Sequence, residues 1–267
     1  MESIFFHWHF DWPTTLFLIA LCFIYLYSIG FEIKRQSLYF FAGIFLLILC
    51  VDSPLHFLAG SYLFSAHMLS HVLIILIAAP LIVAGIPAEN KFKRQLLFFS
   101  TKTKNTFIYW VTGVGIMWFW HIPYIFNQQF SGNGMWMMNL EMPSLLIAGI
   151  IFSWPVINPC RENRIGPIAG VLYLSTACIF CSLLGLMITF APLSMYAHYS
   201  FDDAYGVGSI IRKNWKISAS IDQQIAGLIM WVPGCFIYLT ASMILLIKWF
   251  SANYSNASYK SSNYTNA

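Results

Sequence analysis

Along this chain the apolar positions fall in long unbroken runs. They are closer to the roughly 20 residues that cross a bilayer than to the stripe of a soluble helix or the alternation of a strand. The first run covers residues 12–31 and is stopped by Glu32, Lys34 and Arg35. A shorter one, 37–51, ends at Asp52, Ser53 and Pro54. The third covers 62–87 with Pro80 inside it, where a kink is expected because proline removes a helical donor and crowds the carbonyl four residues back. Residues 105–140 carry no charge, too long a stretch for one crossing, and Pro123 with the turn-like Ser131-Gly132-Asn133-Gly134 divides it. Helices are therefore predicted over 106–125 and 135–157, then over 166–191 and 222–250. The fold class is all-α: a polytopic transmembrane bundle of seven helices. Residues 1–250 form its single domain, and residues 251–267 form a polar tail expected to be disordered and cytoplasmic.

Seven crossings put the termini on opposite sides, and the basic residues decide which is which. With the N-terminus outside, eleven of the fourteen Lys and Arg lie on the inner side and only Arg212, Lys213 and Lys216 on the outer. Cytoplasmic loops gather Lys and Arg, so the N-terminus is predicted outside and the C-terminus in the cytoplasm. Seven of the ten acidic residues fall on the outer side, giving that mouth a negative charge that draws cations.

Composition narrows the function classes. Only 9% of the 267 residues are charged, against roughly 25% in a soluble domain, so much of the surface must face lipid. No aqueous domain carries a basic patch, which argues against nucleic acid as a partner. The N-terminal stretch has neither the basic region nor the small-residue cleavage site of a signal peptide, and the first helix is expected to be retained. No phosphate loop, nucleophile elbow or zinc-protease motif is present, and an enzyme is not expected.

The candidate chemistry gathers at one side. His7, His9, His56, His67, His71, His121 and His198 all map to the outer half, and most methionines lean the same way. Imidazole and thioether together suit copper, with thioether favouring Cu(I). The sharpest pattern is HMLSH, in which His67 and His71 share a helix face and Met68 borders it. They serve either as metal ligands or as buried hydrogen-bonding groups of the bundle. His121, in WFWHIPYIF, is the candidate third ligand or an interfacial histidine among aromatics. Glu141 is an intramembrane carboxylate between Met138 and Met142, functional by default in that setting, with a hydrogen bond to a neighbouring helix as its alternative. Met138 and Met142 read as packing or as a copper stripe, and Asp222 as a helix-opening carboxylate or a further ligand. The Cys178-x-x-Cys181 spacing lies inside a crossing and reads as packing rather than redox chemistry.

These residues carry a resemblance. The segment 53–87, SPLHFLAGSYLFSAHMLSHVLIILIAAPLIVAGIP, followed in order by WFWHIP, IIFSWPVINP and DQQIAGLIMWVPG, resembles the CtaG-type membrane proteins associated with cytochrome c oxidase assembly. The resemblance implies a seven-helix protein of the bacterial cytoplasmic membrane that assists maturation of a heme-copper oxidase. It also implies copper as the metal handled, with His67, His71 and His121 as the site and Met68, Asp222 and Gln223 near it. The implied partners are one or more oxidase subunits and an extracytoplasmic copper donor, within the lipid bilayer. This chain has Met138 and Met142 where family members often carry a histidine pair, a change toward softer donors. The competing readings are a heme-binding electron-transfer subunit and a copper permease.

Overall fold

The structure is a computed structural model that describes residues 8, 11–87, 106–131, 135–199 and 207–265. Among the described residues every regular element is helical. Helix α1 (Trp12–Ser28) opens with Asp11 as its cap, the carboxylate accepting from the Thr14 N–H, and with Pro13 in the first turn, where its missing N–H is harmless. Helix α2 (Arg35–Asp52) passes through Ser53 into a short α3 (Pro54–Ser61), again capped by a side chain and opened by proline. Helix α4 (Phe64–Gly85) follows after a two-residue turn. Then come α5 (Thr106–Trp120), α6 (Pro123–Gln129), α7 (Met135–Ile157), α8 (Pro167–Phe190), α9 (Val207–Trp215) and α10 (Ala219–Thr265). The histidines His7 and His9 and the basic loop around Lys91 to Lys104 lie outside the described residues.

Five helices, α2, α4, α7, α8 and α10, are long and apolar enough to cross a membrane, and α1 and α5 are apolar but shorter. The protein is a multi-pass membrane protein. Helix α4 is the most buried of the five and packs against α2, α7 and α10, which makes it the axis of the bundle. Two glycines permit this closeness. A Cβ on Gly85 would meet the Phe40 backbone nitrogen of α2 at 2.6 Å, and one on Gly149 of α7 would meet the Ala79 Cβ of α4 at 2.7 Å. Small residues let membrane helices approach to van der Waals contact, where lipid supplies no hydrophobic drive.

Four expectations need adjusting, each for a local reason. Residues 54–61 form their own helix, and α4 begins at Phe64 rather than 62, since Leu63 is extended (φ −131°, ψ 119°). Pro80 is accommodated by a widened turn rather than a simple kink: Leu73–Ala78 is π-helical, and the Ala79 N–H donates to the Ile74 carbonyl, five residues back. The fourth helix ends at Trp120, not 125, because Ile122 precedes a proline and is held extended (φ −62°, ψ 122°), so Pro123 opens α6 instead. At the other end α10 runs on to Thr265, past the boundary expected at 250; no Gly or Pro follows Gly234 to stop it.

Candidate metal centre

His67 and His71 stand one turn apart on α4, with ring centroids 4.3 Å apart. Helix α7 brings Glu141 against both. Its Oε1 lies 3.4 Å from His67 Nε2 and 3.3 Å from His71 Nε2, and the three side chains are at most 4% exposed. Both approaches are longer than the roughly 2.7–2.9 Å of a charge-assisted hydrogen bond. Neither His67 Nε2 nor either ring nitrogen of His71 has a hydrogen-bond partner. A buried polar atom without a partner is costly, on the order of 1–3 kcal/mol, and asks for an explanation.

A metal ion fits that arrangement. The donor atoms of His67, His71 and Glu141 lie within 4.8 Å of one another. A tetrahedral ion with bonds of roughly 2.0–2.1 Å spaces neighbouring ligand atoms by about 3.3 Å, as observed for both Glu141 contacts. Gln129, the last residue of α6, places its Nε2 3.4 Å from the same Oε1 and donates to it.

His121 sits in the break between α5 and α6, beside this triad. Its ring meets that of His71 edge to face at 5.3 Å. Its Nδ1 contacts the Met117 carbonyl at 2.6 Å, and its Nε2 faces Met68 Sδ at 3.2 Å. An aromatic roof lies over the His67 ring, with Phe64, Phe126, Phe130 and Tyr199 all in contact with it. Part of that roof is a 3-10 strap, Leu193–Tyr199, held to α6 by Asn127, whose side chain donates to the Met195 carbonyl and accepts from the Ala197 N–H. Tyr196 of the strap donates to the His121 carbonyl at 3.1 Å. Burial pushes the Tyr199 phenol well above its ordinary range and pulls the His198 imidazole below its own, so the strap is neutral where it covers the site.

Asp222 stands apart from the converging donors. Its carboxylate accepts from the Phe64 N–H (2.8 Å), the Ser65 N–H (3.1 Å) and the Ser65 hydroxyl (2.5 Å). It therefore caps the N-terminus of α4, whose own cap position is Leu63 and offers no acceptor. Its neighbour Gln223 donates to the Ile188 and Ala191 carbonyls and ties off the C-terminus of α8. Met142 packs against the apolar core, and Met138 is half-buried about one turn toward the N-terminus of α7 from Glu141. His56 is exposed on α3, and His198 stacks on Phe130 at 3.8 Å. Cys178 and Cys181 do not pair: the Cys178 thiol faces Cys235 of α10 at 3.1 Å, and Cys181 contacts the Met230 carbonyl.

Gln129 and the strap tyrosines join the cluster without a pairing motif in the sequence to announce them. The signal for Gln129 was the polar run Asn127-Gln128-Gln129 inside an otherwise uncharged apolar stretch.

The family model of the cytochrome c oxidase caa3 assembly factor, Caa3_CtaG, matches residues 30–252. No curated protein and no solved structure matches the chain. The match takes in all five long apolar helices, the triad, the capping aspartate and the strap, and on it the chain belongs to the CtaG family of cytochrome c oxidase caa3 assembly factors.

Proposed function

We propose that this assembly factor takes up a copper ion on His67, His71 and Glu141 and passes it to a subunit of a heme-copper cytochrome c oxidase during biogenesis. It does this at the outer side of the bacterial cytoplasmic membrane, receiving copper from an extracytoplasmic donor and catalysing no reaction itself. One observation carries the reading: two buried imidazole nitrogens of α4 each lie 3.3–3.4 Å from one carboxylate oxygen of α7, and neither makes a hydrogen bond. Copper is the first-row metal that suits both this imidazole–carboxylate set and the adjacent thioether of Met68. Delivery needs ligands that a recipient can displace, and a set completed by weak or mixed donors meets that need.

Heme is the poorer fit. Axial ligation from two histidines requires a porphyrin between facing rings, whereas His67 and His71 lie 4.3 Å apart on one helix under a closed aromatic roof. The two shorter apolar helices, α1 and α5, complete seven crossings in this proposal. At 1.5 Å per residue their 17 and 15 residues span roughly 23–26 Å, enough with the flanking turns for a slightly thinned bilayer.

The test is metal analysis of the purified protein beside His67→Ala, His71→Ala and Glu141→Gln, with the oxidase content of the same cells read from its absorption spectrum. Each variant is expected to lose copper affinity by more than the ~10–100-fold that removal of an outer-shell partner brings. The oxidase should fall with it. Undiminished copper and oxidase in all three variants, or zinc in place of copper in the wild type, would overturn the reading.

A further inference from the structure

We infer that the bundle holds a second, softer position for the same cargo, formed by His121 Nε2 and Met68 Sδ and sharing His71 with the triad, so that Cu(I) and Cu(II) rest in different places. This rests on the copper reading above and adds to it where each oxidation state sits.

The argument begins with which atoms can carry hydrogen. The Met117 carbonyl can only accept, and it lies 2.6 Å from His121 Nδ1, so Nδ1 carries the ring proton. In the neutral ring Nε2 is then a bare lone pair. It is directed at Met68 Sδ, 3.2 Å away, and a thioether has no hydrogen to give. Two acceptors thus face each other in a pocket where His121 is 2% and Met68 0% exposed. Something positive belongs between them. A thioether is a weak partner for a proton and a good one for a soft metal ion. Bonds of roughly 2.0 Å to nitrogen and 2.3 Å to sulfur, at a tetrahedral angle, hold those two atoms about 3.5 Å apart, close to the spacing found.

His71 supplies the link. Both of its ring nitrogens are buried without a partner, and only Nε2 faces Glu141. Nδ1 lies across the ring and leaves the triad, and the ring sits edge to face with His121. One imidazole can therefore serve either position. The two positions differ in hardness: a carboxylate completes the first and a thioether the second. Cu(II) favours the former and Cu(I) the latter.

The backbone keeps the soft pair in place. His121 is fixed at the α5–α6 break, where Tyr196 of the strap holds its carbonyl, and Met68 lies within the first two turns of α4, whose N-terminus Asp222 caps.

X-ray absorption on the purified full-length protein, loaded once with Cu(I) under reductant and once with Cu(II), tests this directly. The Cu(I) form is expected to show a sulfur neighbour at about 2.3 Å, and the Cu(II) form only nitrogen and oxygen. Met68→Leu, a volume-conserving change, should abolish the sulfur signal and weaken Cu(I) binding at least tenfold while leaving the Cu(II) paramagnetic resonance spectrum unchanged, which also reports that the variant folds. Glu141→Gln should weaken Cu(II) binding and alter its paramagnetic resonance spectrum while the sulfur neighbour of the Cu(I) form persists, and Met142→Leu should change neither signal. The inference is overturned by a Cu(I) form without sulfur in the wild type, or by Met68→Leu weakening both oxidation states alike. Absence of copper in both states of the wild type would take down the underlying reading as well.

Discussion

At the scale of single residues, the proposed centre depends on groups outside its donor set. Asp222 is the clearest. A fully buried carboxylate with no ion pair among the described residues is tolerable here because it accepts three hydrogen bonds at a helix N-terminus, where the backbone dipole also favours negative charge. Those bonds fix the first turn of α4, and His67 and His71 stand within two turns of it. Asp222→Ala leaves the Phe64 and Ser65 amides buried and unpaired. It should destabilise the protein by on the order of 1–3 kcal/mol, read as a lower melting temperature in detergent. Asp222→Asn, which keeps one acceptor, should recover part of that loss. In both variants the metal's neighbour shell should be unchanged once the ion is bound, an outcome that a ligand role for Asp222 forbids. The imidazole pair of α4 is legible in the sequence because its partners are four residues apart. The service of Asp222 is not, because the amides it caps lie 158 residues away in the chain and nothing at Leu63 announces that a cap is missing.

At the scale of elements, the geometry of the centre is a distance between α4 and α7, and that distance is set below it. Gly149 lies two turns beyond Glu141 on the same face of α7, and its position opposite Ala79 and Ile75 leaves no space for a side chain: a Cβ there would meet the Ile75 carbonyl at 3.0 Å. Ile75 lies one turn from His71 and inside the π-helical stretch, so any displacement there is passed to the imidazoles with little room to relax. Gly149→Val should therefore push α7 outward and open both contacts to Glu141. Copper affinity is expected to fall about tenfold or more while circular dichroism shows the helix content intact. Gly149→Ala should give a smaller effect of the same sign. A valine variant that binds copper as tightly as the wild type would show that the spacing is set elsewhere. The long apolar runs reveal these helices without ambiguity, since their length is dictated by the bilayer. How α4 absorbs Pro80 is not legible. A proline's missing donor and ring clash can be met by a bend or by an extra residue in the turn, and packing against α2 and α7 decides between them.

At the scale of the whole molecule, the centre exists because three helices present their donors at one depth. His67 and His71 lie three and seven residues from the start of α4, and Glu141 six from the start of α7. At 1.5 Å per residue these are depths of roughly 5–10 Å from the same end of the bundle. His121 follows the last residue of α5, whose opposite direction brings its C-terminus to that end. The strap and α9 cover it there, and Arg212 of α9 donates to the Tyr199 carbonyl. Which side of the membrane this end faces is a prediction from the charges: the N-out arrangement expected from the sequence assigns eleven of fourteen basic residues to the other side, and loops rich in Lys and Arg stay in the cytoplasm. The consequence can be measured in living cells with a membrane-impermeant thiol reagent on a background lacking the six native cysteines. Lys213→Cys, exposed on α9, should label in intact cells. Glu162→Cys, exposed in the turn between α7 and α8, should label only after the membrane is permeabilised. The opposite pattern would put the triad at the cytoplasmic face, where an extracytoplasmic donor could not reach it, and delivery to the outer side of an oxidase would have to be abandoned even if copper binds as proposed.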